Sequence, residues 1–437
     1  MSYDRVPGAL GVWHARWMLA RHLVGNQGGV PVTPETNPEL YALVRETARR
    51  LGTPMPSRVL FTAAPTVDLS VTYRQRHLLI GLPLLACLAA GELRALVGHR
   101  LALLRYRHAG LVNGLLDLWT DAVQAESYEH GRGLRRATEL RNRLADFAAE
   151  VQREADEAAV LAAGGVDPAA RAFALASIVS DEYAEFLEHS GIPEHRWWRP
   201  VEVGISDIDD GWCHALRHGL GESDWDADDA LVLATIHPRL SIALRALGDA
   251  PLRATPAADP VPIAPLSERE RRRLVRQLMG IPYPRHIRWF SFADSPRSWW
   301  RQRAVKDADS VRDDVTLVLG RDAVDDLEVF EVIRTRPREV LAAAMGVPVS
   351  ELSDDPRDYQ TKEPPGALVW LVEENLLRRG WRLAHPAVRG VLIDPDGERV
   401  DARAVLVQAD QEMAGSAVPA GAAETLRSWL APTATNG

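Results

Sequence analysis

Apolar residues recur three and four apart along Gly91–Leu104, where Leu93, Leu96, Val97, Leu101 and Leu104 form one stripe, so this segment reads as an amphipathic helix. Three short runs precede it: Arg58–Thr62, Leu69–Tyr73 and His77–Gly81. Pro65 and the charged stretch Arg74–Arg76 separate them, which predicts strands of a small antiparallel sheet. Residues 1–52 read as helical, with Ala42–Leu51 stopped by Gly52. A long helix is expected over Thr138–Ala163, ending at Gly164-Gly165. Another starts near Asp167-Pro168, an acid suited to a helix cap followed by a proline suited to the first turn, and runs to about His189. The acidic stretches Ser206–Gly211 and Gly221–Asp229 read as solvated loops, because neither carries a full D-x-D-x-D-G calcium loop.

Between residues 250 and 266, Pro251, Pro256, Pro260, Pro262 and Pro265 lie among alanines, the composition of a linker. Ser267 and Glu270 then form a capping box, and the helix they start is expected to close at Gly280. Further on, Ala367–Arg379 reads as a helix stopped by Gly380. Trp381–Leu383, Val388–Ile393 and Arg399–Val407 read as strands, with Asp394-Pro395-Asp396-Gly397 as a tight turn. No internal repeat is visible. The pattern predicts an α+β protein: a mostly helical domain with a small sheet over 1–249, a linker over 250–266, and a smaller mixed α/β domain over 267–437.

Composition narrows the class. A chain of 437 residues with 46 % hydrophobic and 25 % charged residues is ordinary globular material for two domains. A net charge of −9 argues against binding nucleic acid through the overall field. Cys87 and Cys213 are too few for a disulfide framework or a thiolate metal cluster. The N-terminus has Asp4 and Arg5 where a signal peptide needs an apolar core. The longest apolar run, Leu78–Ala90, is broken by Gly81 and Pro83 and is shorter than the ~20 residues that span a bilayer. A soluble, cytoplasmic protein is the expectation.

The run Arg76–His108, RHLLIGLPLLACLAAGELRALVGHRLALLRYRH, carries a resemblance. Glu92, Leu93, Ala95, Leu96, Val97 and His99, with Arg105, Arg107 and His108, match the E-L-x-A-V-x-x-H-E-x-x-H helix and basic tail of the HtpX-type zinc metallopeptidases, the family that includes the CAAX prenyl endopeptidases. Gln152–Asp156 (Q-R-E-A-D) stands where that family has E-x-x-A-D, and Thr235-Ile236-His237-Pro238 with Leu244, Ala246, Leu247 and Gly248 resembles its T-H-P ending. The four segments occur in family order over about residues 38–249. The resemblance implies a gluzincin-type metallopeptidase fold in which two histidines one helical turn apart and a glutamate hold Zn²⁺.

The departures bear on the chemistry. In H-E-x-x-H two histidines at i and i+4 grip one ion and the Glu between them activates its water. Here the motif reads His99-Arg100-Leu101-Ala102-Leu103. Arg100 stands at the general-base position and Leu103 at that of the second histidine. Gln152 replaces the third ligand, keeping its shape and losing its charge. His99, Leu103 and Gln152 are therefore vestigial zinc positions, and no intact catalytic residue, zinc or other cofactor is expected. His108, nine residues after His99, is a poor substitute ligand. A rebuilt metal site would have to draw on residues such as His237 and Asp156, the latter matching a residue that supports the zinc shell in the family. Arg100 is expected either to pair with Asp156 or another acid in place of the ion, or to point to solvent.

Basic and aromatic residues interleave at Arg288, Trp289, Trp299, Trp300 and Arg301, a composition found at partner interfaces and in cores. His195-Arg196-Trp197-Trp198 reads as a packed loop between prolines. Gly-rich phosphate loops, nucleophile elbows and C-x-x-C motifs are absent. The leading expectation is a pseudopeptidase that binds a peptide or protein or serves as a scaffold, with its sheet edge open to strand addition. The alternatives are a peptidase or other hydrolase using a non-standard metal site, with zinc as cofactor, and a regulatory protein whose function lies in the C-terminal domain.

Overall fold

A computed structural model of the chain describes residues 29–71, 75–125, 132–189, 203–218, 225–278, 287–346, 348–351, 365–416 and 420–431. The protein is α+β, mostly helical with small sheets. It divides into two compact units, the first taking in described residues up to Glu188 and from Val203 to Trp289, the second beginning at Phe290.

The first unit opens with β1 (Val30–Val32) and α1 (Pro38–Leu51). Pro38 sits at the helix start, and Gly52, at φ +64°, turns the chain out by donating its N–H to the carbonyls of Ala48 and Arg49. Strands β2 (Arg58–Thr62), β3 (Val67–Val71) and β4 (Arg76–Gly81) complete a four-stranded sheet in the order β1-β2-β4-β3. The sheet is mixed and not antiparallel as expected: β4 runs parallel to β2 and antiparallel to β3. Five consecutive residues of β4, His77–Gly81, are buried. Such a run needs cover on both faces and a neighbour on each side, so β4 takes the interior place and leaves β3 at the edge.

From β4 the chain enters α2 (Leu82–Cys87) and α3 (Ala90–Ala102), followed by a 3₁₀ turn over Leu103–Arg105. Glu92 fastens the start of α3 by accepting the Ala89 N–H at 2.9 Å, and it also pairs with Arg171 at 2.8 Å. Then come α4 (Ala109–Ala125), α5 (Arg132–Ala163) and α6 (Val166–His189). Helix α3 lies hard against α5. A Cβ at Gly98 would stand 2.5 Å from that of Ala162 and 3.1 Å from the Ala158 carbonyl, so only glycine admits this approach. The unit continues through β5 (Val203–Ile205), α7 (Ile208–Arg217), α8 (Ala227–Ile236), α9 (Ser241–Leu247), α10 (Glu268–Leu278) and the first two residues of β6 (Arg288–Phe290), a strand paired with β5. No described helix is by itself long and apolar enough to cross a membrane.

Residues 250–266 are not a free linker. Leu252 and Val261 are buried, Ala257 N–H donates to Ala86 at 2.9 Å, Ala264 N–H to Asn37 Oδ1 at 2.7 Å, and the Leu252 carbonyl accepts from Trp225 at 3.0 Å. Proline removes donors without preventing apolar contact, so a Pro/Ala-rich strap can be laid over a core as readily as left in water. The capping box of Ser267 and Glu270 forms, and α10 joins the first unit by pairing Arg271 with Asp209 and Asp210. The boundary therefore falls after Trp289.

The second unit consists of α11 (Arg297–Leu319), α12 (Asp326–Thr335), α13 (Pro337–Met345), α14 (Pro365–Arg378), strands β7 (Arg382–His385), β8 (Val388–Ile393) and β9 (Arg399–Asp401), α15 (Ala402–Met413) and α16 (Ala422–Leu430). Its core gathers Val311, Val315, Phe330, Leu371, Leu376, Leu392, Leu406 and Trp429. The turn at Asp394–Gly397 joins β8 to β9 with Gly397 at φ +94°. The strand expected over Arg399–Val407 stops at Asp401, whose side chain accepts the N–H groups of Arg403 and Ala404 and starts α15.

Candidate functional site

Helices α3 and α5 and the end of α8 bring His99, Gln152, Asp156 and His237 together. Gln152 and Asp156 lie one turn apart on α5 and so share a face. His237 follows the last turn of α8, where Pro238 ends the helix, and its N–H donates to Leu233 at 2.7 Å. All four residues are 5 % exposed or less. Asp156 Oδ1 lies 2.8 Å from His237 Nδ1 and 3.6 Å from His99 Nε2. Gln152 Nε2 lies 3.2 Å from His99 Nε2 and 2.9 Å from His237 Nδ1. The second oxygen of Asp156 accepts the Arg239 N–H at 3.2 Å, which fixes the carboxylate plane. Phe173 of α6 closes the group, its ring centroid 5.1 Å from that of His99 and 4.0 Å from that of His237. Burial, with His237 and Arg100 nearby, holds His99 well below the ordinary histidine range, so its imidazole is neutral.

The zinc set that the resemblance implies does not fit. Leu103 has no donor atom and is fully buried in the 3₁₀ turn that ends the helix. Arg100 turns away from the cluster. Its Nη1 pairs with Asp117 of α4 at 3.2 Å and its Nε donates to the Val67 carbonyl at 3.0 Å. Burial opposes the cation, but Asp117 and Asp68 outweigh it and raise the Arg100 pKa. Of the two expectations for this residue, pairing holds, with Asp117 as partner and not Asp156. His108 is exposed and takes no place in the cluster. The sequence marks His237 and Asp156 as residues a rebuilt metal site would draw on, without showing that they meet. For His237 the signal is the Thr235–Pro238 segment, but nothing in that segment says which helices it meets. Phe173 carried no signal at all.

Of the two edge strands of the sheet, β1 and β3, the β3 edge is not open to strand addition. Gly81 N–H donates to the Thr66 carbonyl, so alternation along β3 turns Val67 and Leu69 outward. The Val67 carbonyl is taken by Arg100, and Leu69 N–H donates to Asp68 Oδ1 at 2.6 Å. Gly110, at the start of α4, lies so close to the Val71 carbonyl that an added Cβ would be 2.7 Å from it. An incoming strand would find these groups engaged or covered.

The basic-aromatic set is divided between the two units. Arg288 and Trp289 belong to the first unit and Trp299, Trp300 and Arg301 to the second. Arg272 and Arg276 lie over the Trp289 ring at 5.8 and 5.7 Å. Trp300 is buried, donating to Ser295 Oγ at 2.6 Å, with the half-buried Trp299 ring 4.7 Å away. Arg301 donates to the Leu377 carbonyl. His195–Trp198 lie outside the described residues. Compared with protein-family models, with curated proteins and with solved structures, the chain matches none.

Proposed function

We propose that this protein is a metallopeptidase-like protein that does not hydrolyse peptides and acts by binding or scaffolding a protein or peptide. The observation that carries the reading is the use made of the general-base position. Arg100 is committed to Asp117 and to β3, and a permanent cation there cannot take a proton from water. Leu103 supports the same reading, since it supplies no ligand where one is required. The burial of His99, Gln152, Asp156 and His237 leaves no open position at which a scissile carbonyl would meet them. The family identity rests on the four motif segments in their order, together with the convergence of His99, Gln152 and His237, which come from three of those segments.

The test is a cleavage assay on the full chain with unfolded proteins and mixed peptide libraries, with and without added Zn²⁺, Mn²⁺ or Co²⁺. No cleavage above the buffer rate is expected under any condition. Turnover that a chelator abolishes and zinc restores would overturn the reading in favour of a hydrolase with a rebuilt site.

A further inference from the structure

The cluster of His99, Gln152, Asp156 and His237 is difficult to satisfy with protons alone. His237 Nδ1 has one position, occupied by either a proton or a lone pair, yet it stands 2.8 Å from a carboxylate oxygen and 2.9 Å from an amide nitrogen. If it donates to Asp156, the Gln152 N–H groups meet another N–H. If it accepts from Gln152, the buried carboxylate loses its closest donor. The Gln152 Oε1 meanwhile is buried with no hydrogen-bond partner, an uncommon state for a carbonyl oxygen. A half-turn of the amide brings that oxygen to the two imidazoles in place of the nitrogen. Four atoms with lone pairs then surround one point.

We propose that His99 Nε2, His237 Nδ1, Asp156 Oδ1 and, after that half-turn, Gln152 Oε1 form a closed site for a first-row divalent cation, zinc foremost, which ties α3, α5 and the end of α8 together. The nitrogen and carboxylate atoms of His99, Asp156 and His237 all lie within 4.8 Å of one another. A four-coordinate zinc with bonds of about 2.0–2.1 Å sets its ligand atoms about 3.3 Å apart, and the contacts of 2.8–3.6 Å bracket that spacing. Two imidazoles with a carboxylate and an amide oxygen are donors of intermediate softness, which suits zinc better than calcium or magnesium. The support expected behind a ligand is present, since the Arg239 N–H orients Asp156. Arg100, next to His99 in sequence, is held away by Asp117 and does not compete for the carboxylate. Burial of every ligand makes the site structural, with no vacant position for a reacting molecule. The inference goes beyond the non-hydrolytic reading: it assigns Asp156 and His237 as ligands and gives the cluster a role in stability.

The experiment uses the full chain, stripped by a chelator and dialysed, then titrated with Zn²⁺ alone. Metal content by mass spectrometry, calorimetric titration and thermal unfolding are read together, and Co²⁺ is added separately for its visible spectrum. One Zn²⁺ per chain retained through dialysis, a higher Tm with zinc and the strong visible bands of four-coordinate Co²⁺ are expected. Removing a ligand should weaken binding by at least about tenfold, the scale seen when even supporting residues are lost. His237→Gln and Asp156→Asn test this, and Gln152→Glu, which adds a charged oxygen ligand, should bind zinc more tightly. Gln152→Glu and the wild-type metal content keep the test decisive if the other two variants fail to fold. Stoichiometric zinc without cleavage supports the site. Stoichiometric zinc with cleavage supports the site and overturns the non-hydrolytic reading. Absence of bound zinc in the wild type, or affinity unmoved by all three substitutions, overturns the site and leaves the non-hydrolytic reading intact.

Discussion

His77 shows how a single side chain ties stability to pH. It is buried in β4 opposite Arg58 of β2, and its Nε2 has no hydrogen-bond partner. Burial, and then the charge of Arg58, lowers its pKa. The unfolded chain therefore binds a proton near the ordinary pKa of about 6.5, while the folded chain resists it to lower pH. The stability this group contributes is complete above that value and is lost as pH falls below it. Thermal unfolding should show Tm declining between pH 7 and pH 5, and His77→Phe should make the decline shallower. An unchanged slope in the variant would remove His77 from the account. At this scale the residue types of the candidate site were legible: His99, Gln152, Asp156 and His237 each stand in one of the segments that carry the resemblance. Their company was not, because a side chain's neighbours come from distant segments.

At the scale of elements, α3 and α4 are joined by the Arg100–Asp117 pair, in which both side chains are less than a quarter exposed. Asn113 adds to it, donating to Asp117 Oδ2 at 2.8 Å. A charge-assisted pair with this much shelter contributes more than a surface ion pair, and removing one partner strands the other. Arg100→Met and Asp117→Asn should each destabilise by about 1–3 kcal/mol. The double variant should cost less than the sum of the two, as denaturant titration would show. Additive losses would mean that the pair is incidental. Helices α1, α3, α5, α6, α10 and α14 were readable from periodicity, caps and stop signals, whereas α7 and α8 begin inside Ser206–Gly211 and Gly221–Asp229, acidic stretches that read as loops. The sheet was not readable, since strands β2, β3 and β4 have similar composition and their order depends on which one is buried on both faces. The end of β9 was misread for a related reason: Val405 and Leu406 suit a strand, but Asp401 caps a helix whose apolar face reaches the second core.

For the whole molecule, the decisive question is where the first unit ends. Residues 250–289 supply Leu252, Val261, Leu274 and Val275 to buried positions and hold the strap to Ala86, Asn37 and Trp225. Burying side chains of this size is worth about 1.5–3 kcal/mol each, an amount comparable with the net stability of a domain. A fragment of residues 1–289 should unfold cooperatively, whereas 1–249 should be unfolded or aggregated, as circular dichroism during heating would show. Equal Tm for the two would place the boundary back in the Pro/Ala-rich stretch.

Local rules account for what was legible in the amino-acid order: helices from periodicity, caps and turns from Ser267, Gly52 and Asp394–Gly397, and the departure of Arg100, Leu103 and Gln152 from the H-E-x-x-H and E-x-x-A-D patterns. Those features depend on residues a few positions apart, whose geometry the backbone imposes. The meeting of His99 with His237, the turn of Arg100 toward Asp117, the closing of the β3 edge and the docking of 250–266 join residues 17 to more than 200 positions apart. Such contacts follow from how faces pack once the chain has folded, and pattern along the chain carries no distance across it.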